Sequence, residues 1–152
     1  MRSLTETETQ TLFRKLADYT GRSLTHLISP SDGEGDRHVF RIQNSRVYYV
    51  RESLAKLANT VSRDKLLSLG TCIGKFTKTG KFRLHITALG VIAPHARYKV
   101  WVKPNGEMPF LYGGNLVKAH IGRWSEDCPQ HQGVVVVAMD DTPLVSYTAT
   151  TV

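Results

Sequence analysis

Cysteine and long apolar segments are the two features that this sequence has little of. Its 152 residues include two cysteines, Cys72 and Cys128, which provide no disulfide framework. Cys128 and His131 have the spacing of half a zinc site, and the histidines add no second pair with metal-ligand spacing. The longest apolar run, over 134–139, is far shorter than the roughly 20 residues that cross a bilayer. We therefore interpret both cysteines as structural or incidental and expect no metal site.

The length suits one ordinary domain or two small ones, and a hydrophobic content of 41% is enough to form a core. The first ten residues, MRSLTETETQ, lack the apolar segment of a signal peptide. We therefore expect a folded intracellular protein.

Acidic residues are missing from the middle of the chain. The whole sequence has 13 Asp and Glu, but none lies between 65 and 106, where eight of its 20 Lys and Arg occur. The formal net charge is +7. A field of one sign favours a polyanionic partner, with nucleic acid first and an anionic membrane surface second. General solubility charge is the alternative explanation.

The stretch GTCIGKFTKTGKFRL, over 70–84, has glycines beside a lysine, as nucleotide phosphate loops do. A Walker-type loop needs four residues before its Gly-Lys pair and a Ser or Thr after the lysine. Here three residues separate Gly70 from Gly74, and Phe76 follows Lys75. Apolar residues then alternate with polar ones, which is typical of a strand rather than of the required helix. The pattern argues against an NTPase.

Local patterns predict an α+β first half with a largely antiparallel sheet. Thr5 and Glu8 have the spacing of a capping box, which predicts a helix over 6–19. The segment 24–28 fits a short strand or a helical turn, and 29–36 is a turn-rich loop. Further elements are a hairpin of strands 38–42 and 47–50 turning at 44–46, a helix with Leu54, Leu57, Ala58 and Val61 on one face, a short helical turn capped by Ser62, a strand containing Thr71 and Ile73, and a strand over 81–89.

The second half is predicted to be mainly β, after a joint at 93–96. A strand over 97–103 is expected to stop at the turn signal Pro-Asn-Gly over 104–106. A helical piece through 116–118 follows, and the β-branched run over 134–139 predicts a buried strand. Asp140 and Asp141 are expected to form a turn at its end.

Strand periodicity places cations together on two faces. In 81–89, Lys81, Arg83 and His85 lie opposite the apolar residues. In the next predicted strand, over 97–103, the indole of Trp101 lies among cations. This arrangement suits single-stranded nucleic acid, because cations bind phosphates and an aromatic face stacks on a base. Alternatively, the indole packs against the first unit and the lysines protect a sheet edge. This second face consists of Arg97, Lys99, Trp101 and Lys103.

No catalytic constellation is evident. Ser53, Ser62 and Ser68 lie in no nucleophile elbow, and there is no paired-carboxylate motif and no cofactor motif. The residues therefore favour a non-enzyme without a cofactor.

Four segments together resemble one known family, the Nip-seven-type factors of large-ribosomal-subunit biogenesis. They are RVYYV over 46–50, LGTCIGKFTKTGKFRLHITAL over 69–89, YKVWVKP over 98–104, and FLYG over 110–113 followed by Lys118. The resemblance extends over nearly the whole chain, to about residue 144. It implies an N-terminal α/β domain with a twisted antiparallel sheet and flanking helices (1–93) and a mainly β, pseudo-barrel PUA domain (94–152).

The resemblance also implies a role. Such factors are non-catalytic, join pre-ribosomal particles, contact pre-ribosomal RNA and other biogenesis proteins, and work in the nucleolus or nucleus, with the cytoplasm as a further location. We expect a monomer outside the particle. Lys118 and Arg123 fall in the PUA segment expected near RNA. A PUA domain is also expected to continue past residue 152 with a closing strand and a basic segment, so the domain looks incomplete here.

The sequence thus predicts a non-catalytic RNA-binding assembly factor for the 60S-type subunit that takes part in pre-rRNA processing. A protein-interaction adaptor with indirect RNA contact is the alternative, and an RNA-modifying enzyme is a weaker one. The predicted RNA-binding residues are Lys75, Lys78, Lys81, Arg83, Arg97, Lys99, Trp101, Lys103, Lys118 and Arg123.

Overall fold

A computed structural model describes residues 1–28, 35, 37–125 and 128–148 of the chain. Its strands form two sheets. The first is antiparallel, in the order β1-β2-β3-β4-β5, and the second has the order β7-β6-β8-β9, with β6 and β8 parallel. The strands are β1 Arg2–Ser3, β2 His38–Gln43, β3 Arg46–Arg51, β4 Thr71–Phe76, β5 Phe82–Leu84, β6 Lys99–Val102, β7 Ile121–Trp124, β8 Gly133–Ala138 and β9 Pro143–Thr148.

Helices pack on both sheets. Within the described ranges, none is long and apolar enough to cross a bilayer. The α-helices are α1 Glu6–Thr20, α2 Leu24–Ile28, α3 Glu52–Ala58, α4 Leu89–Ile92 and α5 Pro104–Leu111, and 3₁₀ turns lie at Gly21–Ser23, Ile86–Ala88, Ala93–His95 and Lys118–His120.

Helix α1 begins with the predicted capping box. The amide of Glu8 donates to the Thr5 hydroxyl at 3.3 Å, and the Thr5 amide donates to the Glu8 carboxylate at 2.9 Å. Arg2 pairs with the same carboxylate at 2.9 Å. These hydrogen bonds from Arg2 and Thr5 lower the pKa of Glu8 to about 2. The helix predicted over 6–19 is confirmed and extends by one residue.

A two-residue turn joins β2 to β3. Asn44 and Ser45 have φ of 50° and 67°, the left-handed pair that matches the twist of a hairpin. The predicted hairpin is therefore confirmed. The structure also confirms the helical alternative for 24–28, the strand predicted over 134–139, and the turn at Asp140 and Asp141. The predicted loop over 29–36 lies outside the described residues except for Gly35.

One core connects the two sheets. Leu12 and Leu16 of α1 are buried between the first sheet and β8, whose Val135 and Val137 belong to the same cluster. The amide of Arg97 donates to the Tyr19 carbonyl at 2.8 Å, which ties the start of the second half to the end of α1. A smaller core of Val102, Phe110 and Val136 lies where α5 covers the other face of the second sheet. The division predicted at 93 and 94 stays a prediction.

The second predicted helix is present as α3, but of the four residues of its predicted apolar face Ala58 alone is buried. Helix α3 ends at Ala58 and is buried through Ala55 and Ala58, whereas Leu57 is 63% exposed. Small side chains let this short helix lie close to the sheet, and the larger residues then point outward. Leu54 and Val61 are exposed as well.

The short turn predicted after Ser62 is confirmed, but it does not continue as helix into 66–69. The Ser62 carbonyl accepts from the amides of Lys65 and Leu66 in an isolated turn, and the chain then runs on without helix to Gly70. This segment covers the outer face of the first sheet over Gln43 of β2 and Tyr48 of β3. The Gln43 side chain holds it by donating to the Arg63 and Leu66 carbonyls at 3.0 and 3.2 Å.

The strand predicted over 81–89 is too long. Strand β5 stops at Leu84, and after the His85 amide bonds to the Ile73 carbonyl the chain turns into helix. Ala88, Leu89 and Ile92 then enter the core, while Ile86 is exposed. The helical spacing thus puts three apolar side chains on the core side of the chain.

Two further predictions are shifted. The signal at 104–106 begins α5 rather than a turn, because proline is favoured in the first helical turn, where its missing amide costs nothing. The helical piece expected through 116–118 is the 3₁₀ turn Lys118–His120.

Candidate nucleic-acid interface

A row of three cations crosses the outer face of β3, β4 and β5. In the antiparallel register, Arg46 lies opposite Lys75, and Lys75 lies opposite Arg83. All three side chains are exposed. The next residues along, Phe76 and Phe82, lie on the other face with their ring centres 5.1 Å apart. Packing of the phenylalanines therefore fixes which face the cations occupy.

The loop between β4 and β5 adds two more cations. Thr77 organises it: its amide donates to the Lys81 carbonyl at 2.7 Å, and its hydroxyl accepts from the Lys81 amide at 3.1 Å. Gly80 has a φ of 80°, a conformation that favours glycine. Lys78 and Lys81 are left exposed at the end of the hairpin.

The structure thus brings four of the predicted residues together and adds Arg46, which the sequence analysis missed. In the described part of the chain, none of these five cations forms an ion pair. Like charges opposite each other on a sheet are destabilising. An anion bound over the row would remove that repulsion. The five are Arg46, Lys75, Lys78, Lys81 and Arg83, which we call the hairpin cations.

The second predicted group lies on the other sheet and is less open. Lys99 and Trp101 pair with Val135 and Val137 of β8, on the face that packs toward α1, and both are half-buried. Trp101 packs against the main core. The structure therefore has the indole in the alternative placement considered for it, and a base-stacking role stays a prediction.

Trp101 is held by two residues from other strands and turns. The guanidinium carbon of Arg123, its register partner on β7, lies 4.0 Å from the ring centre. The indole N–H donates to the Asp141 carboxylate at 2.6 Å, and that carboxylate lies 3.9 Å from Arg123. Asp141 was not among the predicted residues. Because it lies 40 residues from Trp101 in sequence, no local pattern links the two.

The remaining predicted cations are exposed and scattered. Arg97 has its guanidinium carbon 5.0 Å from the ring centre of Tyr98. The Lys103 amide donates to the His120 carbonyl at 2.8 Å, and its side chain is exposed after β6. Lys118 begins the last 3₁₀ turn. These residues surround the second sheet and do not form one patch with the hairpin cations, which lie on the first.

The cysteines and histidines form no metal centre in the described ranges: no three residues of metal-binding type come together there. The thiol of Cys72 lies 3.7 Å from Nδ1 of His85 on the outer face of the first sheet. Burial raises the pKa of the Cys128 thiol, and the positive charge of Arg97 opposes this shift. Burial, His26 and Lys99 together lower the pKa of His95.

The fold is that of a PUA-domain protein. The chain is similar to a solved crystal structure of a PUA domain from Aeropyrum pernix K1, with a TM-score of 0.56 and 14% identity over 97% of this chain and 71% of that one. The sequence identifies the family more closely. The chain belongs to the NIP7/UPF0113 family, because the family model of the NIP7/UPF0113 pre-PUA domain matches residues 1–86 and that of the UPF0113 PUA domain matches 98–148.

Curated relatives are similar along almost the whole chain. Two yeast proteins, from Schizosaccharomyces pombe and Saccharomyces cerevisiae, are 62% and 60% identical over 144 residues. A relative from Mus musculus is 56% identical over the same length. Each match covers 95% of this chain and 78% of the relative, and all three carry the name 60S ribosome subunit biogenesis protein NIP7 or its homolog. The resemblance and the α+β fold with a C-terminal PUA domain are confirmed.

Proposed function

We propose that the protein is a non-catalytic assembly factor of the large (60S-type) ribosomal subunit that binds pre-ribosomal RNA directly and takes part in pre-rRNA processing. The observation that carries the proposal is the row Arg46, Lys75 and Arg83 on one exposed sheet face. Arginine and lysine side chains with no acidic partner nearby are what phosphate groups bind.

Two further facts support it. The relatives are named for 60S subunit biogenesis, and the second half of the chain matches a PUA domain, a type of RNA-binding module. The proposal assigns no reaction and no cofactor to the chain. Its partners are pre-ribosomal RNA and other biogenesis proteins, its location is the nucleus and nucleolus with the cytoplasm as a further site, and it is a monomer outside the particle.

Crosslinking in cell extract, followed by sequencing of the attached RNA, tests the proposal. Recovery of precursor ribosomal RNA with the unaltered protein supports it, and a random sample of cellular RNA contradicts it. The informative variant replaces Arg46, Lys75 and Arg83 with glutamine and is expected to lose most of the crosslinks. A matched control removes three other exposed cations, Arg14, Arg22 and Lys65, in the same way.

Purified protein gives the second measurement. Affinity for single-stranded RNA is expected to fall with salt, with a log-log slope of about −0.7 per phosphate contacted. Loss of three contacts in the triple variant makes the slope shallower by about 2. An affinity that hardly changes with salt would contradict phosphate binding.

An adaptor role is the second candidate, and one observation favours it. Leu54, Leu57 and Val61 are exposed along one side of α3 and the turn that follows. Their spacing of three and four residues is that of a helix face bound by a partner. Leu54→Ser with Leu57→Ser is expected to release the protein from pre-ribosomal particles in sedimentation while leaving its affinity for naked RNA unchanged. Co-sedimentation equal to that of the unaltered protein would contradict this role.

A further inference from the structure

A cleft of about 410 Å³ opens beside the hairpin cations, at the end of the first sheet. Its lining includes Thr7 and Thr11 of α1, Thr77 and Lys78 of the loop between β4 and β5, and the turn at Asn44 and Ser45. The Ser45 carbonyl accepts from the Phe76 amide at 2.8 Å, which fixes that turn against β4.

The cleft is positively charged. Arg2, Arg63 and Lys78 line it, and among the residues that the structure describes Glu8 is its one acidic lining residue. Glu8 is already bound by Arg2 and by the Thr5 amide, so its charge is compensated. Arg63 and Lys78, by contrast, have no side-chain hydrogen bond or ion pair with any residue that the structure describes. Two cations are therefore available to an anion.

The lining of the cleft is in part apolar and aromatic. Ile42 and Phe76 contribute to it beside the polar residues. Phe76 is only partly buried against the core, so part of its side chain remains accessible. The volume falls at the small end of the range of about 300 to 1,000 Å³ that is typical of small-molecule sites. Cations and an aromatic side chain in one lining suit a phosphate joined to a planar base.

The geometry points to a nucleotide site: the cleft takes one unpaired nucleotide of the RNA bound along the hairpin cations, with its base against Phe76 and its phosphates on Lys78 and Arg63. This inference rests on the proposed function. Unpaired bases splayed out of a single strand are how proteins generally read RNA. The site therefore gives the N-terminal half a role in selecting unpaired RNA, in addition to the attraction between the hairpin cations and the RNA phosphates.

Filling the cleft without changing its charge is the decisive experiment. Thr7→Trp places an indole in the cleft from an exposed position of α1, and Gln10→Trp adds the same side chain to the same helix outside the cleft lining. Affinity for a fluorescein-labelled single-stranded RNA is measured by polarisation. We expect Thr7→Trp to weaken binding by about tenfold, since one stacked base contributes about that much, and Gln10→Trp to leave it unchanged.

The outcomes separate this inference from the proposed function. If the unaltered protein binds RNA and both tryptophan variants bind it with the same affinity as the unaltered protein, the proposed cleft site is wrong while the proposed RNA binding stands. If the unaltered protein does not bind RNA at all, both are wrong. Tight binding of free UMP or AMP, undiminished by competing RNA, would make the cleft a mononucleotide site and would overturn its assignment to RNA.

A second set of variants tests the phosphate contacts independently of the Thr7→Trp experiment. Arg63→Ala with Lys78→Ala is expected to weaken binding and to make the salt slope shallower by about 1.4, which is two phosphates at about 0.7 each. Lys56→Ala with Lys65→Ala removes two exposed cations from the same part of the chain, outside the cleft. An equal change in slope for both pairs would show that only general charge matters.

Discussion

Arg123 covers one face of the Trp101 ring, with the guanidinium carbon 4.0 Å from the ring centre. The indole N–H is bound by Asp141 at the same time. A cation over an aromatic ring is stabilising, more so when it is partly shielded from water. Of the two faces of the indole, one is thus occupied and the ring is tied at its edge. Trp101 therefore acts first as a packing residue that joins β6 to its neighbours.

Trp101→Ala is expected to lower the free energy of unfolding by about 2 kcal/mol or more. The change removes the cation–π contact, worth about 0.5–1 kcal/mol, a hydrogen bond to a charged acceptor, worth about 1.5–3 kcal/mol, and contacts with the core. Urea denaturation measures it. Trp124→Ala is the control, because Trp124 is 52% exposed on the adjacent strand, and it should change stability by less than about 0.5 kcal/mol. Equal effects of the two would refute the packing role.

Lys75→Glu is expected to change stability and RNA affinity in opposite directions. Lys75 lies between Arg46 and Arg83 in the sheet, so the substitution replaces two repulsions by two attractions. Cross-strand charge pairs contribute roughly 0.2–1 kcal/mol each, and the free energy of unfolding should rise accordingly. Affinity for RNA should fall, since a negative charge then lies within the row that we propose to bind phosphate.

Lys65→Glu provides the control for this prediction. Lys65 is exposed and has no cation opposite it on a strand. It should alter RNA affinity less than Lys75→Glu and should leave stability near that of the unaltered protein. If Lys75→Glu proves less stable than the unaltered protein, the three side chains do not repel one another and the row is not strained by its charge.

The features that sequence predicted well depend on contacts between near neighbours. The capping box of α1 joins Thr5 to Glu8, and the hairpin turn needs only Asn44 and Ser45. The buried strand β8 follows from an uninterrupted β-branched run. The hairpin cations also came from local information, because a segment free of acidic residues contains four of the five.

The features that sequence missed depend on contacts across the chain. The spacing of Leu54, Leu57 and Val61 fits a buried helix face, but the sheet beneath α3 accepts only the alanines. Alternation continues past Leu84 in the sequence, and the space available in the core ends the strand. Arg46 and Asp141 reach their sites through strand register and a distant turn, and neither of these is visible in a single local pattern.

The stability that Glu8 provides is expected to depend on pH. Its pKa is lowered from 4.5 to about 2, first by the hydrogen bond from Arg2 and then by that from the Thr5 amide. A lowered pKa stabilises the fold above the ordinary value, and the contribution is lost as the pH falls from about 5 toward 2. The difference in free energy of unfolding between the unaltered protein and Glu8→Gln should therefore be present at pH 7 and shrink over that interval.

The expected difference is about 1 kcal/mol at most, because Arg2 is 48% exposed and such surface pairs are screened by water. Thermal unfolding at a series of pH values measures it. Glu6→Gln removes the same charge from the same helix turn without breaking the capping box. A gap for Glu8→Gln that stays constant down to pH 2 would contradict the assignment.

The exposure of Leu57 on α3 can be tested by how well this position tolerates a charged side chain. Leu57→Asp should change the free energy of unfolding by less than about 0.5 kcal/mol, as for other surface positions. Ala55→Asp, two residues earlier, should destabilise strongly because it buries a charge without a partner. Urea midpoints compare the two. A large loss with Leu57→Asp would mean that the leucine is buried and would remove the observation that favours an adaptor.

Gly74 and Gly80 carry different constraints, although both belong to the glycine-rich stretch that resembles a phosphate loop. A Cβ at Gly74 would lie 2.2 Å from the carbonyl oxygen of Arg83 and 2.6 Å from the Phe82 ring, so even alanine would force the β4 and β5 strands apart. Gly80 has open space around it, and glycine is favoured there because the backbone has a positive φ. Gly74→Ala should therefore cost about 3 kcal/mol, at the upper end for overpacking.

Gly80→Ala should cost less, about 1 kcal/mol, the strain of an L-residue in the left-handed region. Urea unfolding of both variants checks the order, and Gly90→Ala, at an exposed helical position with nothing nearby, should be neutral or stabilising. The reverse order would mean that the loop, rather than the strand pairing, sets the requirement for glycine. If the order is as expected, Gly74 allows close contact between the strands and Gly80 allows the turn. The proposed phosphate contacts then belong to the lysines and arginines around them.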